Sequence, residues 1–186
     1  MAMDNGGSYG GIAIALHWLT AILIVANLLL GLSMVAMPIS PAKLQYYITH
    51  KSIGITVFLV TSLRLVWRQM RGAPAAVAMP AWQRRAAAAV QALMYVLLLM
   101  IPLSGWVYSS STGVQVLYLA SFPLPDLVGK DRDLAAVLKG VHVGLNSLLV
   151  ALVVVHTAAA LKHHLIDRDG VLARMLPFVK SRGGAA

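Results

Sequence analysis

Four apolar stretches close to the ~20 residues a helix needs to cross a bilayer dominate this 186-residue chain, and they leave room for little but a membrane bundle. They run over Gly11–Met37, Tyr46–Gln69, Ala86–Ser109 and Leu134–His163. Four of the six histidines, His17, His50, His142 and His156, lie inside them, and His163 ends the last. An ionisable side chain in a bilayer is expensive and marks function by default. His142 and His156 are separated by fourteen helical residues, which is about 3.9 turns and roughly 21 Å. Their imidazoles therefore share one face of one helix at opposite depths, an arrangement suited to two stacked cofactors.

Composition narrows the chemistry. The chain is 59% hydrophobic and only 11% charged, and it contains no cysteine. That excludes disulfides, iron–sulfur clusters, thiolate zinc sites and covalent c-type haem attachment. There is no glutamate, and the six aspartates fall near the ends or in connections, so no intramembrane carboxylate is present to relay protons or bind a cation. This weakens a pump or ion-transporter reading. The net charge of +9 comes from residues flanking the apolar stretches and not from a stripe on a soluble face. It reads as membrane topology and not as nucleic-acid binding. The N-terminus, Met1 to Gly10, lacks the basic region and small-residue cleavage site of a signal peptide, so the first helix is read as retained.

With four spans, both termini and the second connection share a side, which carries Arg64, Arg68, Arg71, Arg84, Arg85, Lys162, Arg168, Arg174, Lys180 and Arg182. The opposite side carries Lys43, Lys51, Lys130, Arg132 and Lys139. Ten cations against five place both termini of a multi-pass membrane protein in the cytoplasm. The whole chain, 1–186, reads as a single domain without an internal repeat. Pro38, Pro41, Pro74 and Pro80 punctuate the first two connections, and Pro102 is expected to bend the third span. The longest connection, Ser110 to Asp133, holds an apolar aromatic stretch, Val114 to Phe122, too short to span. It is expected either at the membrane interface or as a partly buried loop.

This topology pairs the histidines. His17 and His156 lie near the cytoplasmic surface, His50 and His142 near the outer one. Opposed neutral imidazoles hold a six-coordinate b-type haem between bundle helices, so two haem b groups are expected. Gly31, Gly54, Gly140 and Gly144 supply missing side chains near the outer pair, where a porphyrin plane needs clearance. Each feature has a plainer account: a lone intramembrane histidine can hydrogen-bond across helices, and Gly140 with Gly144 can simply permit close packing. Zinc would lack a cysteine or nearby carboxylate to complete either site.

Four further residues attach to this frame. Arg64 lies fourteen residues after His50 and reaches the depth of the inner haem, where it would neutralise a propionate or else snorkel to the cytoplasm. His163, seven residues past His156, is placed to exchange protons with a quinone; the alternative is an ordinary interfacial residue beside Lys162 and His164. Lys51 and Lys139 adjoin the outer histidines and would draw a small anion to the outer mouth. Asp126, Asp131 and Asp133 offset much of that field.

At these residues the chain resembles the bacterial cytochrome b-561 family of four-helix dihaem membrane proteins. The resemblance runs from about Tyr9 to Pro177 and is carried by Leu16-His17-Trp18-Leu19, His50-Lys51-Ser52-Ile53-Gly54, Val141-His142 and Val155-His156-Thr157-Ala158-Ala159-Ala160-Leu161-Lys162-His163-His164. Asp169-Gly170-Val171-Leu172 and Arg174-Met175-Leu176-Pro177 close it. It implies haem ligation by His17, His50, His142 and His156, with electron exchange to ubiquinone at the cytoplasmic haem. Some members oxidise periplasmic superoxide. Ser110 to Asp133 matches least well, which leaves the outer substrate open.

The leading expectation is thus an all-α integral membrane four-helix bundle, embedded in lipid, that passes electrons between superoxide and ubiquinone. Two other classes stay open. One is a haem b electron-transfer subunit that anchors a dehydrogenase or reductase through a docked redox partner protein. The other is a non-redox helical scaffold or transporter, which predicts colourless protein.

Overall fold

The computed structural model describes residues 8–75 and 77–176. The first seven residues, Pro177, Lys180 and Arg182 lie outside them. Four long helices make up most of the molecule: α1 (Gly11–Ala36), α2 (Pro41–Arg71), α3 (Ala81–Thr112) and α4 (Arg132–Lys162). All four are long and apolar enough to cross a membrane.

Their ends follow capping chemistry more than hydropathy. α2 starts ahead of its apolar stretch because Ser40 Oγ accepts the Lys43 amide and Pro41 opens the first turn, where its missing N–H costs nothing. α3 begins directly after Pro80 and carries Gln83, Arg84 and Arg85 as a polar extension ahead of its apolar stretch. Asp131 caps α4 through the amides of Asp133 and Leu134. α3 runs unbroken through Pro102, which is buried within it.

Most large apolar side chains face outward; Ile22, Leu29, Leu32 and Val154 are typical. In water this would be an unstable surface, whereas in lipid it is the contact surface. The enclosed core is correspondingly small: Val57, Leu97, Leu98 and Leu149, flanked by Leu23, Ile24, Ile53 and Leu145. Leu149 stands seven residues from both His142 and His156. The core therefore forms an apolar layer at mid-depth, between the levels of the two histidine pairs.

The long third connection, expected as an interfacial or partly buried stretch, folds into a small antiparallel hairpin, β1 (Leu117–Tyr118) with β2 (Phe122–Pro123). Its turn holds Leu119 and Ala120 at φ 52° and 57°, a left-handed backbone that side chains with a Cβ adopt only at a cost of about 1–2 kcal/mol per residue. The hairpin is pinned to α2 by Ser52, whose hydroxyl donates to the Leu117 carbonyl and accepts the Leu119 amide. Between Ser52, Ile53 and Leu119 lies a cleft of about 320 Å³.

At the opposite end, α4 continues into a single π-helical turn (His163–Asp167). The chain then reverses at Arg168 and runs back over the inner face of the bundle. Two hydrogen bonds hold it there: Trp18 Nε1 donates to the Met175 carbonyl at 2.8 Å, and Arg174 donates to the Ala75 carbonyl at 2.6 Å.

Candidate haem sites

α1 packs on α2, α2 on α3 and α3 on α4. Among the described residues α4 has no comparable backbone packing against α1 or α2; what bridges those gaps is histidine. His17 on α1 faces His156 on α4 with ring centroids 6.3 Å apart, and His50 on α2 faces His142 on α4, also at 6.3 Å. The ring planes cross at 65° and 81° respectively. The structure thus brings together the two pairs expected from helix depth, each with one member on α4.

The 6.3 Å spacing is a metal-bridging distance. An imidazole nitrogen stands about 2.0–2.1 Å from a bound metal and about 1.1 Å from its own ring centroid, so two rings on one ion have centroids roughly 6.2–6.4 Å apart. Direct hydrogen bonding between rings or stacking contact would bring them closer. Both pairs therefore fit an iron held between opposed imidazoles.

Hydrogen bonds on the outer pair select the nitrogen that would serve. His50 Nδ1 lies 3.1 Å from the Asn27 carbonyl, which can only accept. His142 Nδ1 lies 2.9 Å from Ser104 Oγ. That hydroxyl has one proton and gives it to the Ile101 carbonyl at 2.8 Å, so it accepts from His142. Both outer rings carry their proton on Nδ1 and keep the Nε2 lone pair for a metal, the usual second-shell arrangement.

Glycines let the rings approach. A Cβ on Gly105 would stand 3.0 Å from His142 Cε1, and one on Gly31 would stand 3.4 Å from His50 Cε1. Gly31 does lie at the depth of the outer pair, but what it clears is an imidazole. A Cβ on Gly54 would meet the Asn27 amide at 3.7 Å. Gly140 and Gly144, two residues either side of His142 in sequence, have nothing within 4 Å of a built Cβ. Two residues along a helix turn it by about 200°, so both lie away from the face that carries the ring and do not clear it, contrary to the expectation from sequence.

The inner pair has different company. Arg64 Nη2 lies 3.0 Å from His17 Nδ1, and its guanidinium sits over the Tyr95 ring at 5.3 Å, with Arg68 over the same ring at 5.9 Å. Arg64 thus reaches the inner pair. His17, His50 and His142 are half-buried and His156 is more open.

His163 is tied to a carboxylate: its Nδ1 donates to Asp169 Oδ2 at 2.6 Å, with Asp167 Oδ2 at 3.2 Å. Lys162 pairs with the same Asp167 oxygen at 2.6 Å. On the outer side, Lys51 donates to Ser109 Oγ at 2.6 Å and Lys139 is exposed. The residues not anticipated from the sequence, Asn27, Ser104, Gly105 and Asp169, all act across helices or turns. No periodicity or motif along the chain signals these contacts, which depend on how the helices are set against one another.

Comparison with known proteins agrees with this geometry. The pattern of the family described as prokaryotic cytochrome b561 matches residues 8–178. Cytochrome b561 homolog 2 of Escherichia coli (strain K12) is 35% identical over 182 residues, covering 90% of each chain. Cytochrome b562 of Cereibacter sphaeroides is 28% identical over 183 residues, covering 94% of this chain and 98% of that protein. Probable superoxide oxidase CybB of Yersinia pestis is 26% identical over 178 residues, with the same coverages of 94% and 98%. With four spanning helices and this match over nearly its whole length, the chain belongs to the prokaryotic cytochrome b561 family and is a multi-pass b-type cytochrome of the bacterial inner membrane.

Proposed function

We propose that this protein holds two haem b groups, one at each histidine pair, and carries electrons from superoxide at its outer face to ubiquinone at its inner face. The observation that carries this is the pair of 6.3 Å imidazole gaps on a shared helix, set on either side of an apolar layer. Bis-histidine haem supplies one-electron chemistry without an open iron position, so electrons enter by outer-sphere transfer. Superoxide suits such a site: it is a small anion that needs no coordination to give up its electron. The kinship to a protein named as a probable superoxide oxidase points the same way. Overall, two superoxide ions and one ubiquinone, with two protons, become two dioxygen molecules and one ubiquinol.

The chain's own residues do the rest. Lys139 and Lys51 keep the outer face positive. Lys139 is open to solution, while Lys51 is anchored on Ser109 and acts as a fixed charge beside His50. The mid-depth leucines and valines exclude water between the two sites. At the inner face, Arg64 is placed to meet a haem propionate, and His163 with Asp169 forms a proton-conducting pair about 10 Å beyond His156, where quinone needs protons.

The test separates the two half-reactions. In purified His163→Asn protein, superoxide should still reduce the haems at the wild-type rate, whereas quinone-driven reoxidation should slow by about a hundredfold. Stopped-flow absorbance reads both. Unchanged reoxidation would remove His163 from the quinone site.

A further inference from the structure

We propose that the groups bonded to the histidines set the direction of electron flow, with Ser104 and Asn27 holding the outer site at low potential and Arg64 holding the inner site at high potential. This rests on the two-haem reading above. The two pairs share ring spacing but not surroundings. Each outer ring gives its Nδ1 proton to an oxygen: the Asn27 carbonyl at 3.1 Å for His50, and Ser104 Oγ at 2.9 Å for His142. Ser104 Oγ also lies 2.8 Å from the Ile101 carbonyl, which can only accept, so its proton is directed there and its oxygen accepts from His142. An acceptor on Nδ1 makes an imidazole a more basic ligand, which favours the oxidised iron.

No oxygen acceptor is bonded to the inner rings among the described residues. Their polar neighbour is the Arg64 guanidinium, 3.0 Å from His17 Nδ1. Among the described residues no carboxylate pairs with Arg64; the ion pairs there involve Lys162 and His163. A fixed positive charge in a low-dielectric setting favours the state with one more electron. It does so once the guanidinium has turned from the ring toward a propionate: a guanidinium only donates, so while it caps His17 Nδ1 the ring's proton sits on Nε2 and that nitrogen does not take the iron. The outer pair also has a fixed charge nearby in Lys51, but its Nζ is held on Ser109 Oγ at 2.6 Å and not on an imidazole, so it stands off the rings while Arg64 reaches one.

The inward step is a bare electron transfer. With haem held at both histidine pairs, one electron would leave the His50/His142 site and arrive at the His17/His156 site, with no bond made or broken and no proton needed at any of the four rings. Superoxide, becoming dioxygen, replaces the electron at the outer iron, and quinone removes it from the inner one.

Spectroelectrochemical titration of the purified two-haem protein tests this. Two one-electron waves are expected. Ser104→Ala should raise the lower wave alone, and Arg64→Gln should lower the upper wave alone. Losing one such interaction, about 1.4 kcal/mol, shifts the inward equilibrium constant roughly tenfold, a narrowing of about 59 mV between the waves. Ser104→Thr and Arg64→Lys, which keep the hydroxyl and the charge, should leave both waves in place; a merely structural role would not distinguish these pairs. Shifts in the opposite sense, or on the other wave, or none, would overturn the assignment. An Arg64 that stayed on the ring and donated to a His17 Nδ1 without its proton would act oppositely, and Arg64→Gln would then raise the potential. Protein with no haem bands would instead overturn the two-haem reading itself.

Discussion

Replacing His142 by alanine should leave one haem per chain, the inner one, and replacing His156 should leave only the outer one. α4 donates one ligand to each pair, and neither ring has a second histidine within reach: His142 faces His50 and His156 faces His17. Loss of an axial ligand at a bis-histidine site removes half of what holds the iron. Pyridine haemochrome analysis should therefore fall from two haems per chain to one in each variant, and the double variant should be colourless. Both single variants should lose superoxide-driven quinone reduction, because each breaks the path at one of its two stations. Retention of two haems in either single variant would refute the pairing.

The second large effect is expected at Gly105. A Cβ there would already stand 3.0 Å from His142 Cε1, and the branched side chain of Gly105→Val would extend into the ring itself. Overpacking of this kind costs about 1–3 kcal/mol, and the ring is the part free to move. Turning it would break the Ser104 bond and take Nε2 off the His50 axis. Outer haem occupancy should drop below half while the inner haem stays near full. The same substitution at Gly140, where nothing lies within 4 Å of a built Cβ, should not displace the ring. Equal loss of both haems in Gly105→Val would mean that the glycine serves folding generally.

Much of this molecule could be read before its shape was known, and for a physical reason. A bilayer forces each span to be long, apolar and helical, so hydropathy alone locates α1 to α4. Helical geometry then turns the spacing of His142 and His156 into two depths. Those depths select His17 and His50 as partners, which the structure brings to 6.3 Å. Helix ends were less legible because local chemistry sets them: Ser40 and Pro41 start α2 ahead of its apolar stretch.

What stayed hidden depends on register between helices. Nothing along the chain says that Ser104 stands beside His142, thirty-eight residues away, or that the Asn27 carbonyl meets His50. Gly31 could be placed at the depth of the outer pair, but the His50 ring that stands against it could not be foreseen. The hairpin at Leu117–Pro123 was hidden for another reason. Its turn uses Leu119 and Ala120 in a left-handed conformation where asparagine and glycine normally give the signal, and Ser52 on a distant helix stabilises it. The partners of His163 were likewise obscured by the π-helical turn, which brings Asp169 back to a ring six residues earlier.

Rapid mixing of the oxidised protein with superoxide, followed by absorbance of the reduced b-type band, tests the proposed electron path most directly. Reduction should approach the diffusional ceiling of about 10⁹ M⁻¹ s⁻¹, and adding ubiquinone should reverse it. A two-haem protein that ignores superoxide yet is reduced by ubiquinol would contradict the superoxide assignment and favour an electron-transfer subunit served by a partner protein.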